Sequence, residues 1–170
     1  MKVITGIDGG FSGEVAGWFG GEIWEAHRVV VTREHERRVL DIYGNLAILQ
    51  SLAERAGGIN RLFVVYEGSR KNTQWGIKNS FANGQNHEFW RVLLTLGGFE
   101  FLSVDPKTWQ AYCFKGIPKA KPKERALKFV QKNCSDLAWL DSRTKAEQLG
   151  IVDAMCIAFW AKTQMQPEHS

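Results

Sequence analysis

The sequence predicts a single α/β domain, with one mixed sheet of five strands flanked by helices. Short β-branched or apolar runs alternate along the chain with segments whose apolar residues recur every three or four positions. The 170 residues are 44% hydrophobic and 24% charged, a balance typical of a globular protein with a substantial core. We expect residues 1–165 to form the domain and residues 166–170 to form a short tail.

Five segments are predicted to be strands. Residues 2–7 are β-branched and form the first strand, and residues 14–19 and 22–31 flank a Gly20-Gly21 turn. This pair is predicted to be a hairpin that joins the first strand. The run LFVVY at 62–66 is typical of a buried strand, and residues 99–104 are the fifth.

Helices are predicted between and after these strands. The first covers residues 36–56 and ends at Gly57-Gly58. Its inward positions are predicted to be Val39, Ile42, Tyr43, Leu46, Leu49, Leu52, Ala53 and Ala56. A second helix covers 81–96, with Phe89, Val92, Leu93 and Leu96 inward. Three more are expected at 106–112, at 122–133 with proline as first residue, and at 150–163.

Three acids lie in apolar surroundings. Asp8 and Glu67 each follow a predicted strand and precede glycine, and Asp153 is the only charged residue from position 149 to 161. If the two strands are parallel neighbours, Asp8 and Glu67 lie about one strand spacing, roughly 5 Å, apart. A buried acid needs a cation or hydrogen bonds.

These carboxylates are the hard oxygen ligands that magnesium prefers. Two bound ions would activate a water and stabilise the leaving oxygen of a phosphodiester, which indicates metal-dependent hydrolysis of nucleic acid. Two other interpretations stay open. Asp8 and Glu67 would also serve as turn residues at strand ends, and Asp153 would also suit a structural pair with a buried arginine.

Two basic segments suggest contacts with DNA. Residues 115–132 carry seven positive charges against the single negative charge of Glu124, which suits a phosphate track or, alternatively, a solvated helix face. The loop at 68–78 adds basic, amide and aromatic groups directly after Glu67; a tryptophan used for packing is the alternative there. The residues predicted to bind DNA are Arg70, Lys71, Trp75, Lys78, Lys119, Lys121 and Lys123.

The cysteines and the apolar segments bear on location. Cys113, Cys134 and Cys156 are an odd number without a close pair, so neither a disulfide framework nor a zinc site is expected. The longest apolar stretch, 150–161, contains Asp153 and is too short for a bilayer, and the opening MKVITGID shows no cleavage pattern. We expect a soluble cytoplasmic protein of a bacterial or phage-infected cell, or one of an organelle matrix, with no membrane partner.

Four stretches, in order, resemble the RuvC-type Holliday junction resolvases of the ribonuclease H-like superfamily, and are closest to the bacteriophage and organellar branches. They are GIDGG, VVYEGS, GIKNSFANGQNHEFWRVLLTLGGFEFLSVDPKTWQ and GIVDAMCIAFWA, and the likeness runs from residue 2 to 162. The resemblance implies a homodimer that binds four-way DNA junctions and makes two symmetric nicks. It implies two Mg²⁺ ions per site, with Mn²⁺ as a substitute, and it matches Asp8, Glu67 and Asp153 to the acids of the family. It also implies a basic residue near the site, for which Lys119, Lys121 and Lys123 are candidates.

One departure from the family concerns the fourth ligand. Relatives carry a further His or Asp three to five residues before the last acid, where this chain has Gly150, Leu149 and Gln148. The nearest acid is Glu147, which reaches the site only if the chain there is not yet helical. Six helical residues rotate by about 600°, which would turn Glu147 away from Asp153. We expect the non-helical case, with Glu147 as a catalytic metal ligand and Asp141 as the alternative.

Other functions compatible with the sequence are a broader nuclease for branched or flap DNA and a junction-binding protein without catalysis. The opening GIDGGFSG also resembles the phosphate loop of actin-like ATP-binding domains. Those proteins bind nucleotide between two such domains and need about twice this length. We therefore expect no nucleotide cofactor.

Overall fold

The main sheet has five strands in the order β3-β2-β1-β6-β7. A computed structural model describes residues 2–21, 23–68, 77–135 and 137–165. Its strands are β1 (Val3–Ile7), β2 (Glu14–Trp18), β3 (Trp24–Arg28), β4 (Val31–Glu34), β5 (Arg37–Leu40), β6 (Leu62–Glu67) and β7 (Glu100–Val104). Strands β1, β6 and β7 are parallel neighbours, and β2 and β3 run antiparallel beside β1. The predicted mixed five-stranded sheet is confirmed.

Helices cover both faces of this sheet. They are α1 (Ile42–Ala56), α2 (Ile77–Leu96), α3 (Pro106–Cys113), α4 (Pro122–Asn133), α5 (Ala138–Asp141) and α6 (Lys145–Met165). One buried cluster joins α3, α4 and α6 to the sheet, and a second joins α1 and α2 to it. None of the helices in the described part of the chain is both long and apolar enough to cross a membrane.

The position of α6 depends on a glycine in β1. A side chain at Gly6 would collide with the carbonyl oxygen of Ala154, and its Cβ would lie 2.7 Å from the backbone nitrogen of Ala158. Because residue 6 has no Cβ, α6 packs directly on β1. This contact brings Asp153, the residue before Ala154, to the carboxyl end of the sheet.

The prediction that the first helix begins at residue 36 is wrong. Residues 31–40 instead form a second, two-stranded sheet from β4 and β5. The turn between these strands places His35 and Glu36 at φ angles of 46° and 65°, which non-glycine residues seldom adopt. Neither residue is a usual signal for such a turn. Helix α1 begins after Asp41, whose carboxylate accepts a hydrogen bond from the Gly44 amide at 2.9 Å.

Several predicted inward positions are also wrong. Leu49, Leu52 and Leu93 are buried as expected. By contrast, Ile42, Tyr43, Val92 and Leu96 are exposed, at 56%, 84%, 42% and 83%. Helical periodicity identifies an apolar side of a helix but not what covers it, and the described elements leave this side open. The predicted tail at 166–170 lies outside the described residues.

Candidate active site

Asp8 and Glu67 lie at the carboxyl ends of adjacent parallel strands. Ile7 pairs with Tyr66 in the register of β1 and β6, so the next residue of each strand is an acid. The expected neighbouring arrangement of these two strands is therefore present. The carboxylates also interact, since burial raises the pKa of Glu67 and the charge of Asp8 raises it further.

The third acid comes from α6 on one face of the sheet. The Asp153 side chain is 14% exposed. Burial raises its pKa to about 6, Lys123 opposes this shift and the charge of Asp8 adds to it. The three acids predicted from the sequence therefore act on one another across one cleft.

A lysine is the cation nearest to these acids in the described part of the chain. Lys123, in the first turn of α4, places its Nζ 3.0 Å from Oδ2 of Asp153 and donates a hydrogen bond to the Leu149 carbonyl at 3.3 Å. Burial opposes its charge, but the carboxylates of Asp153, Asp8 and Glu67 outweigh this effect and raise the pKa of Lys123. Among the three candidate lysines, the structure thus brings Lys123 to the acids. The partner of Asp153 is this lysine and not the buried arginine of the structural alternative.

The pKa of each of the three acids stays raised, although the charge of Lys123 opposes the shift. Burial, followed by the charge of Asp8, raises the pKa of Glu67 to about 7. Burial also raises the pKa of Asp8, against the attraction of Lys123 and a hydrogen bond from the Gly10 backbone. A site with this much unneutralised negative charge favours further positive charge.

Two buried tryptophans hold the cleft in place. The indole N–H of Trp109 donates to Oε2 of Glu67 at 2.8 Å, and that of Trp90 donates to the Gly9 carbonyl at 3.0 Å. Each tryptophan is 1% exposed. Neither tryptophan was predicted from the sequence to be part of the site. The available signal was the indole N–H itself, because a buried tryptophan needs a hydrogen-bond acceptor.

A fourth buried carboxylate, also missed, lies beside this group. Glu14 is the first residue of β2 and is 5% exposed. The Asp8 amide donates to the Glu14 carbonyl at 3.0 Å, so the two residues are joined across the β1–β2 turn. Burial raises the pKa of Glu14 to about 7. The charges of Arg28 and Arg143 oppose this shift, and those of Glu147 and Asp8 add to it.

The expectation that the chain around Glu147 is not helical is wrong. Helix α6 begins at Lys145, five residues before the predicted start. The Glu147 carboxylate accepts hydrogen bonds from the backbone N and the hydroxyl of Thr144, at 2.9 and 2.7 Å. Thr144 and Glu147 form a capping box, whose sequence pattern was present but not recognised. The Glu147 carboxylate is thus hydrogen-bonded at the start of α6. Asp141, the alternative ligand, is exposed at the end of α5.

The predicted DNA-binding residues fall into four groups. Lys119 and Lys121 are exposed just before α4, whereas Lys123 faces the acids. Lys78 lies in the first turn of α2, but its side chain is outside the described part of the structure. Arg70, Lys71 and Trp75 are outside the described residues altogether.

No group of three or more His, Cys, Asp or Glu side chains among the described residues converges closely enough to hold a metal ion as it stands. The donor chemistry nevertheless suits a divalent cation. Asp8, Glu67 and Asp153 supply hard oxygens, and burial raises the pKa of each. Repulsion from the other acids raises the pKa of Glu67 and Asp153 further. The residues therefore fit such an ion, with side-chain movement required to bring their oxygens together.

The fold is that of the RuvC-type Holliday junction resolvases, an α/β fold of the ribonuclease H-like kind. RuvC from Thermus thermophilus is similar with a TM-score of 0.53 and 16% identity, over 95% of this chain and 96% of that one. The same organism's RuvC in complex with a Holliday junction substrate gives a TM-score of 0.52 and 14% identity, over 96% of each chain. The yeast mitochondrial Holliday junction resolvase is similar with a TM-score of 0.58 and 14% identity, over 94% of this chain and 77% of that one.

No known family's sequence profile matches the chain, and no curated protein matches it either. At these identities, the likeness to the solved structures establishes the shared fold.

Proposed function

We propose that the protein is a metal-dependent endonuclease that cuts four-way DNA junctions by paired, symmetric nicks. The observation that carries this proposal is the group of Asp8, Glu67 and Asp153 around Lys123, at the carboxyl end of a resolvase-like sheet. One of the solved structures with this fold is bound to a Holliday junction substrate. The proposed substrate class follows from that likeness, and the proposed chemistry follows from the acids.

The acids would hold Mg²⁺, or Mn²⁺ in its place. Two such ions would supply the positive charge that activates water and stabilises the oxygen leaving phosphorus. The carboxylates of Asp8, Glu67 and Asp153 are the residues that would bind them. They face the same cleft, and the strands and helix that carry them are buried, so the acids are held for binding by a rigid scaffold.

The other residues of the cleft orient these acids and receive the phosphate. Trp109 donates to one oxygen of Glu67, which fixes the direction of that carboxylate. Lys123 keeps a positive charge beside three acids, and its side chain is 50% exposed. A DNA phosphate that approaches the cleft therefore meets an ammonium group as well as carboxylates, which lowers the electrostatic cost of the approach.

A homodimer would place two such sites on a two-fold symmetric junction. An exposed apolar groove between α1 and α2, with a volume of ≈ 450 Å³, offers a surface for the second copy. Its lining includes Ile42, Leu46, Phe89, Val92 and Leu96. We propose that this groove is part of the dimer interface.

We also propose that the protein works in a reducing compartment, such as the cytoplasm of a bacterial or phage-infected cell or an organelle matrix. Cys113, Cys134 and Cys156 are buried thiols, and no disulfide joins them. Such thiols are compatible with a reducing environment.

The decisive experiment compares nicking of a synthetic four-way junction with that of linear duplex, flap and Y-shaped DNA, with Mg²⁺ or with EDTA. We expect paired nicks in the junction only, and only with Mg²⁺. Asp8→Asn and Asp153→Asn should each slow nicking by at least about a hundredfold, as removal of an electrostatic contact at a reacting centre commonly does. Junction binding should survive or tighten, because each change removes negative charge that faces phosphate.

The matched control is Glu34→Gln, which alters an exposed acid on β4 and should nick at the wild-type rate. Equal cutting of flap and Y-shaped DNA would instead identify a broader branched-DNA nuclease. Tight junction binding without any cleavage would identify a non-catalytic binding protein. Near-normal nicking by either cleft variant at saturating Mg²⁺ would refute the assignment of the acids.

A further inference from the structure

Glu14 occupies the space that a side chain on α6 would fill. Gly150 has no side chain, and a Cβ built on it would lie 2.8 Å from Cγ and 3.6 Å from Oε1 of Glu14. Residues 150 and 153 lie three apart in α6 and therefore lie on the same side of that helix. The Glu14 carboxylate thus sits one helical turn from Asp153, where residue 150 would point.

The same carboxylate is coupled to the acid on β1. Glu14 is 5% exposed, and its backbone carbonyl accepts the Asp8 amide at 3.0 Å. The charges of Glu14 and Asp8 act on each other. Glu14 therefore interacts with Asp8 and contacts α6 one turn before Asp153, and it comes from β2, an element that carries none of the other acids.

We propose that Glu14 is the fourth carboxylate of the ion-binding cleft and that it supplies from β2 the ligand that α6 lacks at Gly150. This inference rests on the proposed function, since it assigns a further ligand to the same site. It also gives a reason for Gly150, because a larger residue there would push Glu14 out of the cleft. Glu147, by contrast, is engaged by Thr144 at the helix start.

A structural role for Glu14 is the competing explanation. Such a role would require a buried ion pair with Arg28 or Arg143, the cations that act on Glu14. No ion pair between Glu14 and either arginine is present within 4.0 Å in the described part of the chain. Arg28 is the cross-strand partner of Glu14 in the β2–β3 register, yet its guanidinium forms no ion pair with the carboxylate. A buried carboxylate near cations but not paired with one suits an ion ligand.

The first test measures ion binding without DNA. Mn²⁺ affinity is determined by electron paramagnetic resonance on the free protein, for wild type, Glu14→Gln, Asp153→Asn and the exposed-acid control Glu34→Gln. We expect Glu14→Gln to raise the Mn²⁺ dissociation constant at least about tenfold, since affinity follows the number of charged ligands. Glu34→Gln should bind as wild type. Thermal unfolding of each variant establishes that it is folded.

The second test moves the carboxylate from the strand to the helix. In the double variant Glu14→Ala/Gly150→Asp, the new acid on α6 should fill the vacated space and restore Mn²⁺ affinity to within about threefold of wild type. The single variant Glu14→Ala should keep a weak Mn²⁺ affinity. A purely structural Glu14 would show no such rescue of ion affinity.

A measurement on wild type avoids variants that fail to fold. We expect the ¹³C carboxyl resonances of Glu14, Asp8 and Asp153 to move on Mg²⁺ addition with one common affinity. If Glu14→Gln binds Mn²⁺ as wild type, or if the Glu14 resonance stays fixed while the other two move, this inference is overturned and the proposed function stands. If wild type itself binds no Mn²⁺ at millimolar concentration, both are overturned.

Discussion

At the scale of one residue, Glu67 shows that the cleft disfavours the charged form of a carboxyl group. Burial and the neighbouring acids raise its pKa to about 7, although the indole of Trp109 and the ammonium of Lys123 oppose the shift. Without a divalent ion, the folded protein therefore binds a proton at Glu67 more tightly than the unfolded chain does. The free energy of unfolding depends on this difference.

We accordingly predict that the ion-free protein loses stability as pH rises from about 4.5 to about 7, the ordinary and the folded-state pKa of Glu67. In that window the folded state holds the proton and the unfolded state has released it, so each rise in pH favours unfolding. The measurement is Tm in EDTA at several pH values, for wild type and Glu67→Gln.

The Glu67→Gln variant serves as the reference because it lacks the titrating group. Its Tm should fall less over the same window, and added Mg²⁺ should raise the Tm of wild type most at the alkaline end. Parallel pH profiles for the two proteins would contradict the assignment.

At the scale of elements, the start of α6 decides which acids share the cleft. The capping box of Thr144 and Glu147 begins the helix at Lys145, so Glu147 is part of the helix start. Gly6 in β1 then allows α6 to lie against the sheet and to bring Asp153 toward Asp8. The geometry of the cleft thus depends on a helix cap and on one position without a side chain.

We predict that Thr144→Ala and Glu147→Ala each lower the free energy of unfolding by about 0.5–2 kcal/mol, the usual effect of removing a helix cap. Both variants should nick a four-way junction at the wild-type rate and with the wild-type Mg²⁺ requirement. Urea unfolding and single-turnover nicking measure the two quantities.

The charge-conserving control for the cap is Thr144→Ser, which retains the hydroxyl and should be close to wild type in stability. A raised Mg²⁺ requirement in Glu147→Ala, without a similar change in Thr144→Ala, would identify Glu147 as a metal ligand.

The whole molecule presents an apolar groove on one side and a basic approach to the cleft on another. The groove lies between α1 and α2, and its Leu96 is 83% exposed. Lys119 and Lys121 precede α4, whose first turn carries Lys123. The proposed function uses the first surface for dimerisation and the second for DNA.

We predict that the protein is a dimer at micromolar concentration and that Leu96→Glu makes it monomeric, because the added charge would have to be buried in the interface. Light scattering measures the mass with and without junction DNA. The control Tyr112→Glu alters an exposed aromatic residue on α3, outside the groove, and should leave the dimer intact. A wild-type monomer, both free and bound to a junction, would contradict the dimer.

We further predict that the double variant Lys119→Ala/Lys121→Ala weakens junction binding and flattens its salt dependence. Two lost phosphate contacts would reduce the slope of log affinity against log salt by up to about 2. The matched variant Lys128→Ala/Lys132→Ala makes the same change of net charge within α4 and should alter the slope less. Equal slopes for the two variants would assign these lysines to a solvated face.

The sequence by itself determined the order of the main strands and helices and the three acids. Runs such as LFVVY and the glycines at 57 and 58 mark strands and helix ends locally, because such patterns depend on neighbouring residues only. Asp8, Glu67 and Asp153 were identifiable because each interrupts or ends an apolar run. An acid in such a run is costly to bury without a partner.

Tertiary structure decided which other side chains join these acids. Trp109 lies 42 residues from Glu67, and Lys123 lies 30 residues before Asp153. In the sequence, Glu14 resembles an ordinary strand residue. The packing of α6 shows that the missing side chain at Gly150 leaves space for Glu14. Likewise, one of three lysines in a basic run faces the acids, and charge along the chain cannot select it. These contacts depend on how α4, α6 and β2 pack around β1, which is a property of the whole domain and not of any local pattern.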